Sequence, residues 1–170
     1  MFGIQLRADI WPVALCATTM LCASLPNVHA SADNCTQEKA VYEDVDGVAE
    51  LAFVPPSGGI TESHAFELRI KDGPTLNGGI IWNMGVSRPN GFLTPQDCGS
   101  DDVQACTLWE GVVYTISSEG ELDLIDEGNR PAAEQIVLPD LSRTLHYSAL
   151  RETVDSFPWE AFQFARCRTD

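Results

Sequence analysis

The sequence predicts a mainly β fold, a small antiparallel β-sandwich or barrel with one helix near the C-terminus, held by two disulfides. Short segments with alternating apolar and polar residues recur along the chain, as is typical of strands with one face in solvent. Glycine, proline and asparagine clusters separate these segments about every 8 to 20 residues. Four cysteines follow an N-terminal export pattern, which predicts that they pair.

The first 30 residues have the three-part pattern of a cleaved signal peptide. An opening segment with Arg7 is followed by an apolar run over residues 11–25 and a small-residue site that ends at Ala30. The run is shorter than the roughly 20 residues of a membrane span. Asp9 offsets the charge of Arg7, so an uncleaved anchor is the alternative. We expect cleavage after Ala30, which leaves residues 31–170 as a single secreted or periplasmic β-rich domain without a membrane span.

The four cysteines beyond the signal peptide allow three disulfide pairings. Cys98 and Cys106 flank an evident turn, so a local bridge between them is favoured. Cys35 and Cys167 then remain to tie the two ends of the domain together. The spacing of Cys98 and Cys106 differs from the Cys-x-x-Cys of redox enzymes, and no basic residue lies beside either thiol. The pattern therefore predicts two structural disulfides.

Period-two alternation, short apolar runs and β-branched or aromatic segments together predict seven strands. The clearest is 64–71, in which Phe66, Leu68 and Ile70 alternate with charged residues. A hairpin signal at Ser118-Glu119-Gly120 separates two others, and another strand, over 79–84, is entered through Asn77-Gly78-Gly79. The remaining six predicted strands are 48–54, 79–84, 107–117, 121–125, 134–138 and 160–167.

Residues 140–156 form the one segment with helical spacing. Asp140 is placed as an N-cap, and three apolar residues follow at intervals of four: Leu141, Leu145 and Ala149. At period two, Leu145, Tyr147 and Ala149 also alternate with polar neighbours, so a strand is the alternative. We predict one helix here, packed against the sheet.

The chain is strongly acidic, with 25 acidic against 10 basic residues and a formal net charge of −15. Arg7 and Asp9 are the charged residues of the signal segment, so the remaining 140 residues also carry −15. Such a chain repels nucleic acid and anionic lipid, and we expect it to bind neither. The charge favours a cationic protein or peptide as partner, or it keeps an exported protein soluble.

No cofactor motif is present, since the sequence contains neither a phosphate-binding loop nor a dinucleotide fingerprint. We expect no metal site, because only His64 and His146 follow the signal segment and the thiols are expected to be oxidised. Calcium at the acidic loop 97–102 is the open alternative. The oxygen ligands there would come from Asp97, Asp101 and Asp102.

Nothing in the sequence marks a nucleophile, since the Gly-x-Ser-x-Gly elbow is absent. A triad is a spatial arrangement, so Ser148 and His146 with a remote acid remain possible partners. The alternative function is therefore a small extracytoplasmic hydrolase that uses His146 or His64 with carboxylates. The catalytic residues of such an enzyme are unknown from the sequence.

Tryptophans near acidic residues give a candidate binding surface. If two or more of the tryptophans pointed outward, they would form a platform for a sugar or a protein. The alternative is that they fill the core. The candidate residues are Trp82, Trp109, Glu110, Trp159 and Glu160.

The function that these observations favour is non-catalytic binding of a cationic partner in the cell envelope. In size, export, acidity and disulfides, the chain resembles the small bacterial periplasmic β-barrel proteins that include lysozyme inhibitors. That resemblance is one of class, and it assigns no role to any residue of this sequence.

Overall fold

The computed structural model describes residues 32–56, 62–83, 85–99 and 104–169, so the predicted signal peptide lies outside the described residues. Within these ranges the chain forms one antiparallel sheet of ten strands and one α-helix, α1, over Leu141–His146. The strands are β1 (Ala40–Asp44), β2 (Ala49–Val54), β3 (Glu62–Ile70), β4 (Thr75–Ile81), β5 (Asn90–Pro95), β6 (Trp109–Val112), β7 (Tyr114–Ile116), β8 (Leu122–Leu124), β9 (Gln135–Val137) and β10 (Ala161–Cys167).

The sheet curls into a half-barrel, and one stretch of chain runs from the edge strand β6 to β7, which is next to the opposite edge strand. The strand order is β6-β5-β4-β3-β2-β1-β10-β9-β7-β8. Only Val113, which is fully buried, separates β6 from β7. The first half of this stretch pairs with β5, and the second half pairs with β9 and β8. The mainly β, antiparallel prediction is confirmed.

The core fills the concave face of the sheet. Large side chains that alternate along the strands meet there, because successive residues of a strand point to opposite faces. The ring of Phe53 on β2 lies 5.9 Å from that of Tyr42 on β1 and 5.8 Å from that of Phe66 on β3. Leu141 and Leu145 of α1 are fully buried against the same cluster. The helix therefore closes one side of the core.

All seven predicted strand segments contain strand, but two strands were not predicted. β1 has the sequence AVYED and β5 has the sequence NGFLTP. Acidic residues in β1, and glycine and proline in β5, are rare in strands, so neither segment gives a strand pattern. Both are formed by pairing with neighbours on each side: β1 lies between β2 and β10, and β5 lies between β4 and β6.

The strand predicted from Gly79, with its entry at Asn77-Gly78-Gly79, begins earlier in the structure, because β4 starts at Thr75 and contains all three residues. A Cβ atom on Gly78 would lie 2.3 Å from the ring of Phe66, on the core face. A Cβ atom on Gly79 would lie 2.5 Å from the ring of Phe92, on the outer face. The two glycines are therefore needed because an aromatic ring lies against the strand on each side.

The predicted helix over 140–156 is correct in type but too long. It ends at His146, and a separate 3₁₀ turn spans Ala149–Glu152. Ser148 interrupts the helix, because its hydroxyl donates to the carbonyl of Leu145 at 2.7 Å and accepts from the amide of Leu150 at 3.2 Å. Asp140 precedes the helix with φ of 60° and makes no side-chain cap. The backbone carbonyl of Asp140 instead accepts from Thr144.

Both predicted disulfides are present, Cys35–Cys167 and Cys98–Cys106. The first joins the segment before β1 to the last residue of β10. Two disulfides are consistent with an extracellular or otherwise oxidising compartment. None of the helices among the described residues has the length and apolar character needed to span a bilayer.

Candidate functional site

A groove lies on the outer face of strands β3 to β6. Its volume is about 710 Å³, within the range of small-molecule sites. Outward-pointing residues form its floor, among them Ala65 on β3, Ile81 on β4 and Phe92 on β5. The floor is apolar, although it lies on the face of the sheet that points away from the core.

Three carboxylates line this groove, and the described lining includes no lysine or arginine. Glu67 is already paired with Arg69, which contacts it at 2.6 Å from outside the groove. Glu110 accepts a hydrogen bond of 2.6 Å from the side-chain amide of Asn90. The third carboxylate, Glu62, has no ion pair within the described residues. The groove therefore presents two carboxylates, Glu62 and Glu110, that form no ion pair with any cation of the described chain.

Glu62 lies beside an aromatic ring. Both groups lie close to Gly79. A Cβ atom on Gly79 would be 3.1 Å from Oε1 of Glu62 and 2.5 Å from Cζ of Phe92. Burial raises the pKa of Glu62 above its ordinary value, because the groove removes water from the ionised form. A cation held between this carboxylate and the ring would stabilise the ionised form of Glu62 by charge attraction. The face of the Phe92 ring would attract the same cation.

One wall of the groove comes from the loop that the Cys98–Cys106 disulfide closes. Cys98, Gln104 and Thr107 line the groove from this side. The bridge holds both ends of the loop next to β5 and β6. Of the aspartates of the candidate calcium loop, Asp97 is exposed, whereas Asp101 and Asp102 lie outside the described residues. Calcium binding at this loop stays a hypothesis.

The five residues of the candidate binding surface do not form one surface. Trp109 is only 2% exposed, and its indole N–H donates to the carbonyl of Pro139 at 2.9 Å. It therefore belongs to the core, which corrects its place in the predicted surface. Its neighbour Glu110 points to the other face of β6 and lines the groove. Trp82 follows the end of β4 and is half-buried.

Trp159 and Glu160 line a shallow depression beside α1 instead of the groove. Trp159 is 54% exposed, and its indole N–H donates to Asp46 at 2.6 Å. His146 lies in the same depression, with its ring 5.3 Å from that of Tyr147 and 5.7 Å from that of Phe157. The hydroxyl of Ser148 already donates to the carbonyl of Leu145 and accepts from the amide of Leu150. These contacts do not assemble a triad around His146.

His64 is 2% exposed and lines a separate cavity of about 410 Å³ near the β7–β8 hairpin. Its Nε2 atom donates to the carbonyl of Gly128 at 3.1 Å, and its Nδ1 atom lies 3.2 Å from the hydroxyl of Ser63. That hydroxyl also reaches the carbonyl of Ile80 at 3.1 Å. A backbone carbonyl thus takes the place that a carboxylate holds in a catalytic triad.

The pKa of His64 lies below its ordinary value. Burial is the main cause, because it disfavours the charged ring. The Gly128 carbonyl and the charges of Glu38 and Asp126 act in the opposite direction but do not prevail. Native His64 therefore stays neutral to a lower pH than a histidine in the unfolded chain.

We expect this difference to make the protein sensitive to mild acid. Below about pH 6.5 the unfolded chain binds a proton at this histidine and the native state does not. Stability is therefore complete above that pH and falls as the pH drops toward the native pKa, with a slope of up to about 1.4 kcal/mol per pH unit. Urea unfolding at a series of pH values gives the free energy of unfolding as a function of pH. That free energy should fall less steeply with decreasing pH for His64→Gln than for wild type. Equal dependence of stability on pH for His64→Gln and wild type would contradict the assignment.

Comparison with known proteins gives no match to a family model, a curated protein or a solved structure. Within the described residues, three or more histidine, cysteine or acidic side chains nowhere converge as a metal site would require. The candidate site therefore rests on the geometry of the groove itself. Its main features are an apolar floor, a wall held by a disulfide, and two carboxylates that have no cationic partner in the part of the chain that the structure describes.

Proposed function

We propose that this protein is a non-catalytic binding protein of the cell envelope, and that the groove on β3 to β6 receives a cationic partner. The observation that carries this proposal is the pair of unneutralised carboxylates, Glu62 and Glu110, above an apolar floor. Carboxylates at a partly desolvated site attract a cation more strongly than carboxylates in open water. The formal charge of −15 adds a long-range attraction that raises the rate of encounter.

Export belongs to the same proposal. The N-terminal pattern with cleavage after Ala30 and the two disulfides together support a secreted or periplasmic location. A soluble domain in that space meets basic proteins, peptides and amines directly. The hydrolase alternative has less support, because the hydrogen bonds of His64 lead to a hydroxyl and a backbone carbonyl, and His146 contacts aromatic rings.

The test uses tetralysine as a cationic probe, measured by calorimetry with residues 31–170. We expect binding at low ionic strength that weakens as salt is added, because salt screens the attraction. Glu110→Gln should lower the affinity by up to about fivefold, the usual size of one partly exposed charge pair. The change keeps the shape of the side chain and its hydrogen bond to Asn90.

Glu152→Gln is the matched control, since it removes the same charge from an exposed position on the 3₁₀ turn outside the groove. We expect it to change the affinity by less than about twofold, through net charge alone. The proposal fails if tetralysine does not bind at low salt, or if the two variants lose affinity equally. In the second case the acidic surface attracts the peptide as a whole and the groove has no special part in it.

A further inference from the structure

Glu62 and the ring of Phe92 lie together at the floor of the groove. A Cβ atom on Gly79 would be 3.1 Å from Oε1 of Glu62 and 2.5 Å from Cζ of Phe92, so these two atoms are no farther apart than the sum of the two distances. Both side chains line the groove, and both are half-buried, so each keeps part of its surface open to it. One small cationic group can therefore contact the carboxylate and the ring at the same time.

The same face of the sheet already binds arginine side chains through its glutamates. Arg69 contacts Glu67 at 2.6 Å and Glu50 at 2.8 Å, and Arg166 also contacts Glu50. Glu62, which lies on the same strand as Glu67, forms neither an ion pair nor a hydrogen bond with any residue that the structure describes. Its carboxylate is therefore free to bind a cationic group from another molecule.

The chemistry of this position favours a guanidinium over an ammonium group. Burial raises the pKa of Glu62, because the groove removes part of the water that would stabilise the ionised carboxylate. A guanidinium is more weakly hydrated than an ammonium, so it loses less when it enters such a position. It is also planar, so its N–H groups can donate to the carboxylate while its face stacks on the aromatic ring. An arginine side chain therefore fits better than a lysine side chain.

The lining of the groove favours arginine within a peptide over the free amino acid or a small guanidine. The described lining carries three carboxylates and no lysine or arginine, so it repels the carboxylate of a free amino acid. Asn77 and Gln104 also line the groove, and both are exposed. Their side-chain amides can donate to and accept from peptide groups, which a small guanidine lacks. A peptide segment therefore gains contacts from these side chains beyond those of its guanidinium.

We propose that the groove binds an exposed peptide segment of a partner protein through one arginine side chain. The guanidinium stacks on the ring of Phe92 and donates to the carboxylate of Glu62, and the peptide groups on either side bond with Asn77 and Gln104. This inference rests on the proposed function, because it specifies the cationic group that the same groove receives. Phe92 sets the preference for arginine, whereas Glu62 contributes a charge attraction that arginine and lysine share.

Two capped pentapeptides test the preference, one with a single arginine between glycines and one with lysine at the same position. Nuclear magnetic resonance titrations of residues 31–170 at low ionic strength give the affinity and show which backbone amides shift. We expect the arginine peptide to bind about fivefold more tightly than the lysine peptide, because the ring attracts the guanidinium more strongly. The largest shifts should occur at Glu62, Gly79 and Phe92. Methylguanidinium, which lacks peptide groups, should bind more weakly than the arginine peptide.

Two substitutions separate the ring from the charge. Phe92→Leu removes the ring but keeps an apolar side chain, so the two peptides should then bind within about twofold of each other. Glu62→Gln removes the charge and keeps the shape, so it should weaken both peptides about two- to fivefold. Tyr147→Leu, which removes a ring that is 73% exposed, and Glu152→Gln are the matched controls outside the groove and should change neither affinity by more than about twofold. If circular dichroism shows that Phe92→Leu alters the sheet, the wild-type comparison and Glu62→Gln decide the question.

The outcomes distinguish this inference from the proposed function. Equal affinity of the two peptides for the wild-type domain, or a preference for arginine that survives Phe92→Leu, overturns the arginine assignment. Weaker binding of tetralysine to Glu110→Gln would still support a groove that binds cations. Methylguanidinium that binds as tightly as the arginine peptide overturns the assignment to a peptide. If tetralysine binds and neither pentapeptide does, the inference alone is overturned, and if none of the three peptides binds, the proposed function is overturned with it.

Discussion

Replacing Cys35 and Cys167 together with alanine is expected to lower the free energy of unfolding by about 5 kcal/mol. The bridge spans 132 positions of the sequence, so it removes a large part of the conformational freedom of the unfolded chain. A domain of this size is usually stable by about 5 to 15 kcal/mol. The loss would therefore be a large fraction of the total stability.

The native contacts around this bridge explain why the folded state should survive its loss. The amide of Ala132 donates to the carbonyl of Cys35 at 2.8 Å, and the amide of Gln37 donates to the carbonyl of Arg130 at 2.8 Å. The β1–β10 ladder also remains, with Ala40 opposite Cys167. These bonds hold the N-terminal segment in place in the folded state, so the bridge acts mainly on the unfolded ensemble.

Urea unfolding monitored by far-ultraviolet circular dichroism gives the measurement, with the Cys98→Ala/Cys106→Ala double variant as the matched control. That bridge closes a separation of only 8 positions, and the same relation gives about 2.6 kcal/mol. Double variants are needed because a single replacement leaves a free thiol. Equal losses for the two pairs, or a larger loss for the local pair, would show that native-state contacts outweigh chain entropy here.

The parts of the fold that the sequence predicted correctly depend on local patterns. Phe66, Leu68 and Ile70 alternate within one strand, and the pairing of Cys98 with Cys106 follows from a short loop. The other pairing, Cys35 with Cys167, then followed by elimination. The half-barrel itself was not predictable in this way, because the chain passes at Val113 from β6, at one edge of the sheet, to β7, which is next to the opposite edge strand.

The candidate site was predicted only in part, for the same physical reason. Glu110 was selected because it follows a tryptophan, yet Trp109 lies in the core because neighbours in a strand point to opposite faces. Glu62 and Phe92 carry no local signal, and β5, which supplies Phe92 and Asn90, was not predicted at all. Three strand pairings bring these residues together. No local pattern in the sequence indicates that combination.

The relation between the groove and the disulfide loop follows from the same pairings. The sequence suggested a choice for residues 97–106 between a metal loop and a structural bridge. In the structure, Cys98 lies at the groove, so the bridge also fixes one wall of the candidate binding site. A structural disulfide can therefore support binding without taking part in any redox or metal chemistry.

Replacing Trp109 with alanine is expected to lower the free energy of unfolding by about 4 kcal/mol, the usual cost of removing a buried tryptophan. The ring packs against two glycines. A Cβ atom would lie 3.1 Å from the ring if it were added to Gly91, and 2.8 Å from the ring if it were added to Gly111. Its N–H bond to the carbonyl of Pro139 connects the start of β6 to the segment before α1. Loss of the ring opens a cavity between elements that cannot collapse fully, because the sheet fixes their backbones.

Two further variants separate the contributions in the same urea experiment. Trp109→Phe keeps most of the apolar ring but removes the N–H donor, so the Pro139 carbonyl loses this hydrogen bond. We expect this variant to lower the free energy of unfolding by about 1 to 3 kcal/mol, which is less than the loss for Trp109→Ala. Trp159→Ala removes a ring that is 54% exposed and should cost about 1 kcal/mol or less. If Trp109→Ala and Trp159→Ala cost the same, burial and the Pro139 hydrogen bond give Trp109 no special part in stability. The order Trp109→Ala, Trp109→Phe, Trp159→Ala, from largest loss to smallest, is the result that a buried, hydrogen-bonded Trp109 requires.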